Sequence, residues 1–211
     1  IVNKIIEGEA RGDSFGHSVS ISSDGSVLAI SAPNNEGTLT SIDVPGFGTI
    51  SENTLLYYQT NGNSDWSLDS PTDSDYVPAH VKQGINPGSV KVYKNNGTEW
   101  VQLGNEITGE GLYDQIGISI SLSSNGETLA IGNALDLSSD YLKIYGSVSI
   151  YGLNDGIWSQ IGSDITSSQN FDYFGYSTSL SSNGGTLAVG GFYGGVDGAS
   201  DNAGYVKIFE N

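Results

Sequence analysis

Cysteine and methionine are both missing from this 211-residue chain. Without cysteine there is no disulfide framework, no thiolate metal site and no thiol nucleophile. Arginine occurs once, as Arg11, and seven basic residues face 24 acidic ones, for a formal net charge of −17. Such a field repels phosphate backbones and anionic lipid surfaces, which excludes nucleic-acid binding and charge-driven membrane attachment. No apolar run nears the roughly 20 residues that span a bilayer. The five prolines all lie between Pro33 and Pro87, which sets that stretch apart from the rest. The first residue is Ile1 rather than Met, which implies a processed or excised segment.

What is present is a repeat. Gly88-Ser89-Val90-Lys91-Val92-Tyr93 returns 58 residues later as Gly146-Ser147-Val148-Ser149-Ile150-Tyr151, and after another 58 as Gly204-Tyr205-Val206-Lys207-Ile208-Phe209. Trp100 returns as Trp158 at the same interval. Self-similarity at a fixed period of this length marks repeated β-units rather than a single irregular core. A chain of this size buries roughly 70% of its unfolded surface, ample for one domain.

Each unit has four parts. A short strand carries the tryptophan (Trp100, Trp158). A strand of strict alternation follows: Ser18-Val19-Ser20-Ile21-Ser22, Ser119-Ile120-Ser121-Leu122-Ser123 and Ser177-Thr178-Ser179-Leu180-Ser181. Period-two alternation predicts a strand with one buried face. Then come Asp24-Gly25, Asn125-Gly126 and Asn183-Gly184, the residue pairs of type I′ hairpin turns. An almost wholly apolar run, such as Val27-Leu28-Ala29-Ile30, predicts a central strand buried on both faces. The Gly-x-Val strand closes the unit. Four short antiparallel strands per unit predict an all-β, β-propeller-like protein of three blades. The division is 1–97, 98–156 and 157–211, all within one repeat domain. Ile1–Ile6 reads as the tail of a tryptophan strand whose head is missing, and three blades leave open sheet faces that need company.

Phe15-Gly16 with Ser31-Ala32-Pro33, Ile116-Gly117 with Gly132-Asn133-Ala134, and Phe174-Gly175 with Gly190-Gly191-Phe192 resemble the signature of FG-GAP repeats. Those repeats build the propeller at the head of integrin α-chains and of many microbial surface proteins. The resemblance implies an extracellular or cell-surface role in adhesion or assembly. One departure is large. Calcium-binding blades of that family carry an Asp-x-Asn/Asp-x-Asp-Gly loop where this chain has Ser22-Ser23-Asp24-Gly25 and its equivalents. A hard cation wants six to eight oxygens, several of them carboxylates, so no metal and no cofactor is carried over. Ser22 to Ala29 also resembles the inner hairpin of WD-repeat propellers.

Several constellations have a functional and a structural reading. Arg11-Gly12-Asp13-Ser14 spells an integrin-recognised adhesion motif. Asp13 equally belongs to the repeat, matching Asp114 and Asp172, each just before the Gly16, Gly117 and Gly175 turns, where an Asx-type bond orders the chain. The first unit carries 43 residues more than the others, between about 34 and 87. Tyr57, Tyr58, Trp66 and Tyr76 in it are candidate ligand contacts, beside Asp65, Asp69, Asp73, Asp75 and His80. Leu55–Gln59 and Asp65–Leu68 flank Asn61-Gly62-Asn63 as an extra hairpin. The alternative is that the hairpin merely covers a sheet face. Asp136, Asp140, Asp197 and Asp201 are candidate cation ligands or plain turn acids. His17 falls in a repeat slot, no Gly-x-Ser-x-Gly elbow exists, and a non-enzyme follows. The reading is thus a structural or adhesion module that assembles with further blades or copies of itself into rings or filaments. The alternative is a lectin-like module binding glycans through the loop face and the insertion.

Overall fold

The computed structural model describes residues 4–35, 41–44, 48–51, 55–59, 66–67, 76–80, 87–109, 114–136, 145–168, 172–193 and 203–210. Among them every regular element is a strand and the pairings are antiparallel, so the chain is all-β. The first sheet holds β1 (Val19–Ile21), β2 (Val27–Ala32) and β8 (Ser89–Asn95), with β9 (Trp100–Gln102) and β10 (Ile107–Thr108) both paired to β8. The second repeats this plan with β11 (Ser119–Leu122), β12 (Thr128–Asp136), β13 (Tyr145–Asn154), β14 (Ile157–Gln160) and β15 (Ile165–Thr166). The third holds β16 (Phe174–Leu180), β17 (Thr186–Gly191) and β18 (Tyr205–Glu210). Among the described residues the sheets form no closed barrel or ring.

Within the insertion, β3 (Ser41–Val44) pairs with β4 (Gly48–Ser51). A further sheet runs β6 (Trp66–Ser67), β5 (Leu55–Gln59), β7 (Tyr76–His80). The extra hairpin read from the sequence is therefore present, with Tyr58 opposite Trp66 in the backbone register.

Hydrogen bonding assigns the tryptophan strand to the sheet before it. Tyr93 pairs with Gln102 and Asn95 with Trp100, and Leu153 pairs with Trp158. The sequence division at 97/98 thus falls between two paired strands. A repeat fixes the period of a pattern but not its phase, and the Asp155-Gly156 turn explains where the phase lies. Both residues have positive φ, 49° and 79°, the type I′ geometry that folds β14 straight back onto β13.

The Asp24-Gly25 turn and its equivalents are built differently from the type I′ expectation. Only the glycines are left-handed, at φ 71°, 74° and 73°. Gly25 N donates to Ser22 O at 2.9 Å, a type I turn followed by a left-handed glycine. The side chain before the glycine braces the loop. Ser22 Oγ and Ser26 N donate to Asp24 Oδ1 at 2.7 and 2.9 Å, and Ser123 Oγ and Glu127 N donate likewise to Asn125 Oδ1. The Ser22 hydroxyl, followed by the Ser26 amide, holds the Asp24 carboxyl down at about 2, from 3.8. A lowered folded pKa means stability that is complete above 3.8 and lost as pH falls through about 2. Asp24→Asn is therefore expected to melt close to the parent near neutrality, since Asn125 and Asn183 do the same work. It should lose less than the parent on acidification. Thermal midpoints at about pH 7 and pH 2 check this, and an identical acid loss in both proteins refutes it.

The expectation of one buried face for the alternating strand is met only in part. Flanked on both sides, β11 buries Ser119, Ile120 and Leu122. Ile120, Leu122, Leu129, Ile131 and Trp158 pack against Val27, Ala29, Val90 and Val92 of the first sheet. On the other side of the second sheet, Ala130 and Val148 meet Phe174, Leu187 and Val189 of the third. The serines work between sheets: Ser20 Oγ accepts from Leu122 N at 2.9 Å, and Ser121 Oγ from Leu180 N at 2.8 Å. The apolar central strand is buried on both faces in the first two sheets. In the third it alternates, since only one side is covered.

Candidate functional site

The residues Asp13, Asp114 and Asp172 are all buried, and each opens the same turn. The next residue is left-handed although it is not glycine: Ser14 at φ 59°, Gln115 at 47°, Tyr173 at 54°. Two residues on, Gly16, Gly117 and Gly175 sit at 88°, 90° and 91°. Non-glycine residues resist this region, so three matching exceptions mark one conserved local design across the units. The Asx-type bond expected from the sequence is present at Asp172, whose Oδ1 accepts from Phe174 N at 3.1 Å. Asp172 Oδ2 also accepts from the Ser167 and Tyr205 hydroxyls. Burial, then the hydrogen bond to Asp172, pushes the Tyr205 phenol up to about 12. Asp13 Oδ2 accepts from Asn35 Nδ2 at 3.4 Å. That engagement supports the repeat reading of Asp13 over the adhesion motif, because a buried carboxylate offers little to a receptor.

The turn is a plug. The Gly175 carbonyl accepts from Ser119 Oγ at 2.8 Å, across from the second sheet to the third. A Cβ built on Gly132 would lie 2.0 Å from that same oxygen, and one built on Gly146 would lie 1.7 Å from Phe174 O. Between the first and second sheets, Ile116 N donates to Pro87 O at 3.0 Å. There a Cβ on Gly88 would lie 2.5 Å from Ile116 O. Each of these two plugs therefore seats against small residues of the preceding sheet.

The third sheet carries the matching glycines, Gly190 and Gly204, and among the described residues no plug lies against them. An open cleft of about 440 Å³ is lined by Tyr176, Ser177, Gly190, Phe192, Gly204 and Val206. Beside it four aromatic rings gather. Tyr173 stacks on Phe192 at 4.9 Å, Tyr176 meets Phe192 edge-on at 4.6 Å, and Tyr193 lies 5.2 Å from Phe192. Sequence reading did not find this cluster. Its signal was that the third unit puts aromatics where the others have Gln115, Ile118 and Ala134. The bulge between Phe174 and Ser177 in the β16–β17 pairing brings them together.

Trp158 ties the second sheet to the first. Trp158 is buried, its Nε1 donates to Leu103 O at 2.9 Å, and its amide donates to Asn105 Oδ1 at 2.8 Å. Trp100 is half-buried. Lys4 donates to Thr98 O, and Lys91 pairs with Glu9, anchoring the N-terminal segment to the first sheet.

Other sequence candidates fare variously. Tyr57, Tyr58, Trp66 and Tyr76 share one small sheet by backbone register. His80 and Asp136 lie in β7 and β12. Asp65, Asp69, Asp73, Asp75, Asp140, Asp197 and Asp201 fall outside the described residues. Exposed His17 lies in the first plug, with its amide donating to Ser14 O at 2.9 Å. Among the described residues no three His, Asp or Glu side chains are grouped to hold a metal ion.

No family model and no curated protein matches the chain. Among solved structures, it is similar to one described as a 6-phosphogluconolactonase from Bacteroides uniformis, with 13% identity and a TM-score of 0.42. That match covers 92% of this chain, which spans 50% of the solved chain.

Proposed function

We propose that this chain is a non-enzymatic structural or adhesion module of the cell surface or extracellular medium. In this reading its three sheets are blades of a propeller-like stack, akin to FG-GAP repeats, whose end faces bind further blades. One observation carries it. Val206 and Ile208 are each 67% exposed, whereas Val148, at the same repeat position as Val206, is 0% exposed. At the opposite end Val19 and Ile21 are 61% and 55% exposed, against 6% and 7% for their equivalents Ile120 and Leu122. Apolar side chains placed for an interface, and left in water at both ends, favour association. The strongly acidic surface suits a solvated, salty milieu. Sedimentation of the 211-residue chain over a wide concentration range tests the proposal. Growth beyond 22.1 kDa is expected, and a single 22.1 kDa species at every concentration overturns it.

The ring cluster of Tyr173, Tyr176, Phe192 and Tyr193 favours a second reading, a lectin-like site. Exposed aromatic faces suit neutral sugars, and the negative field disfavours anionic ones. Titration with neutral glycans decides it. Saturable binding lost in Phe192→Ala supports a lectin, and no binding removes that reading.

A further inference from the structure

We infer that the open seat on the third sheet receives the Asp13–Gly16 turn of a second copy of this chain, giving a head-to-tail pair. This rests on the assembly reading above and names its partner, polarity and contacts. The argument is continuity with two interfaces the chain already contains. The second unit's plug, Asp114–Gly117, and the third unit's plug, Asp172–Gly175, each seat on the sheet before them. Among the described residues the first unit's plug has the N-terminal segment beside Phe15 but no sheet seated at its glycine: a Cβ on Gly16 would meet no atom within 4 Å, whereas one on Gly175 would lie 2.4 Å from Ser147 O. Among the described residues, one unseated plug and one open seat stand at opposite ends of the repeat, and they are complementary by construction.

The register follows from the internal interfaces. Ser119 Oγ reaches Gly175 O, so Ser177 Oγ would reach Gly16 O of the incoming copy. Ile120 N and Leu122 N donate to Ser18 Oγ and Ser20 Oγ at 3.2 and 2.9 Å. Val19 N and Ile21 N would then donate to Ser177 Oγ and Ser179 Oγ, both of which belong to exposed residues. Ser23 N donates to Ser124 O, and Ser124 N to Ser182 O, which leaves Ser182 N to continue the series onto Ser23 O. Val19 and Ile21 would cover Val206 and Ile208. Contacts of this head-to-tail kind close into rings or extend into filaments. A closed pair would hold six sheets, within the four to eight that propellers use.

The test uses two variants that each spoil one face, Val19→Asp and Val206→Asp, with Val19→Thr and Val206→Thr as gentler substitutes should either fold poorly. Both sites are exposed, so far-ultraviolet circular dichroism should match the parent. Each variant alone should associate about tenfold or more weakly than the parent. An equal mixture should regain a species of twice the chain mass, since one partner keeps its seat and the other its plug. Variants that associate like the parent, or a mixture that stays as single chains while the parent pairs, overturn this interface and leave the assembly role standing. A parent that never associates overturns both.

Discussion

Trp158→Ala is expected to destabilise the protein by about 3–5 kcal/mol, the usual cost of emptying a fully buried large aromatic site. The side chain lies in the same apolar cluster as Val27, Val92 and Leu129, so its loss opens a void between the first and second sheets. It also removes the donor to Leu103 O. Trp158→Phe separates the two terms. It keeps most of the packing and should cost about 1 kcal/mol for the lost hydrogen bond, plus a small void. Trp100→Ala is the internal comparison. Its ring is only half-buried, so its loss should be about half as large. Denaturant titrations with a common slope provide the measurement. Equal losses for Trp100→Ala and Trp158→Ala would mean that the tryptophan works within its own strand and not as a tie between sheets.

This contrast also explains what the sequence made legible. The repeat exposed itself through Gly-x-Val-x-Ile/Val-aromatic and through Asp-Gly and Asn-Gly, because turns and central strands are local and each needs its residues in place. The partner of a strand is not local. Nothing in Trp100-Val101-Gln102 states whether it pairs forward or backward, and the structure pairs it backward. The same limit hid the plug and seat. Phe174-Gly175 and Gly132 are far apart in the chain, and their fit appears only when a Cβ is placed on the glycine. The inter-sheet serines were visible as an alternation, but alternation alone suggested a solvent-facing side. The aromatic cluster depends on a bulge, which one strand's sequence does not announce.

Gly146→Ala is expected to cost about 3 kcal/mol or more, at the upper end of overpacking penalties. The added carbon would lie 1.7 Å from the carbonyl oxygen of Phe174 and 2.5 Å from its amide nitrogen. These are backbone atoms of a residue whose ring is wholly buried and packed edge-on against Phe209 at 6.2 Å. Relief would require backing the whole plug out of its seat, which also stretches the Ser119 Oγ to Gly175 O bond. Gly204 occupies the same repeat position one unit later, and there the nearest atom to an added Cβ is Phe192 O at 3.2 Å. Gly204→Ala should cost the left-handed strain of φ 74°, about 1–2 kcal/mol, plus a small shift of the Phe192 backbone. Denaturation of the two variants side by side measures the difference. If both lose the same amount, the plug does not bear on Gly146 as described. If Gly204→Ala folds well yet no longer pairs with a second copy, the two ends of the chain obey one rule. A seat for the next unit needs a glycine there, whether that unit comes from the same chain or from another copy.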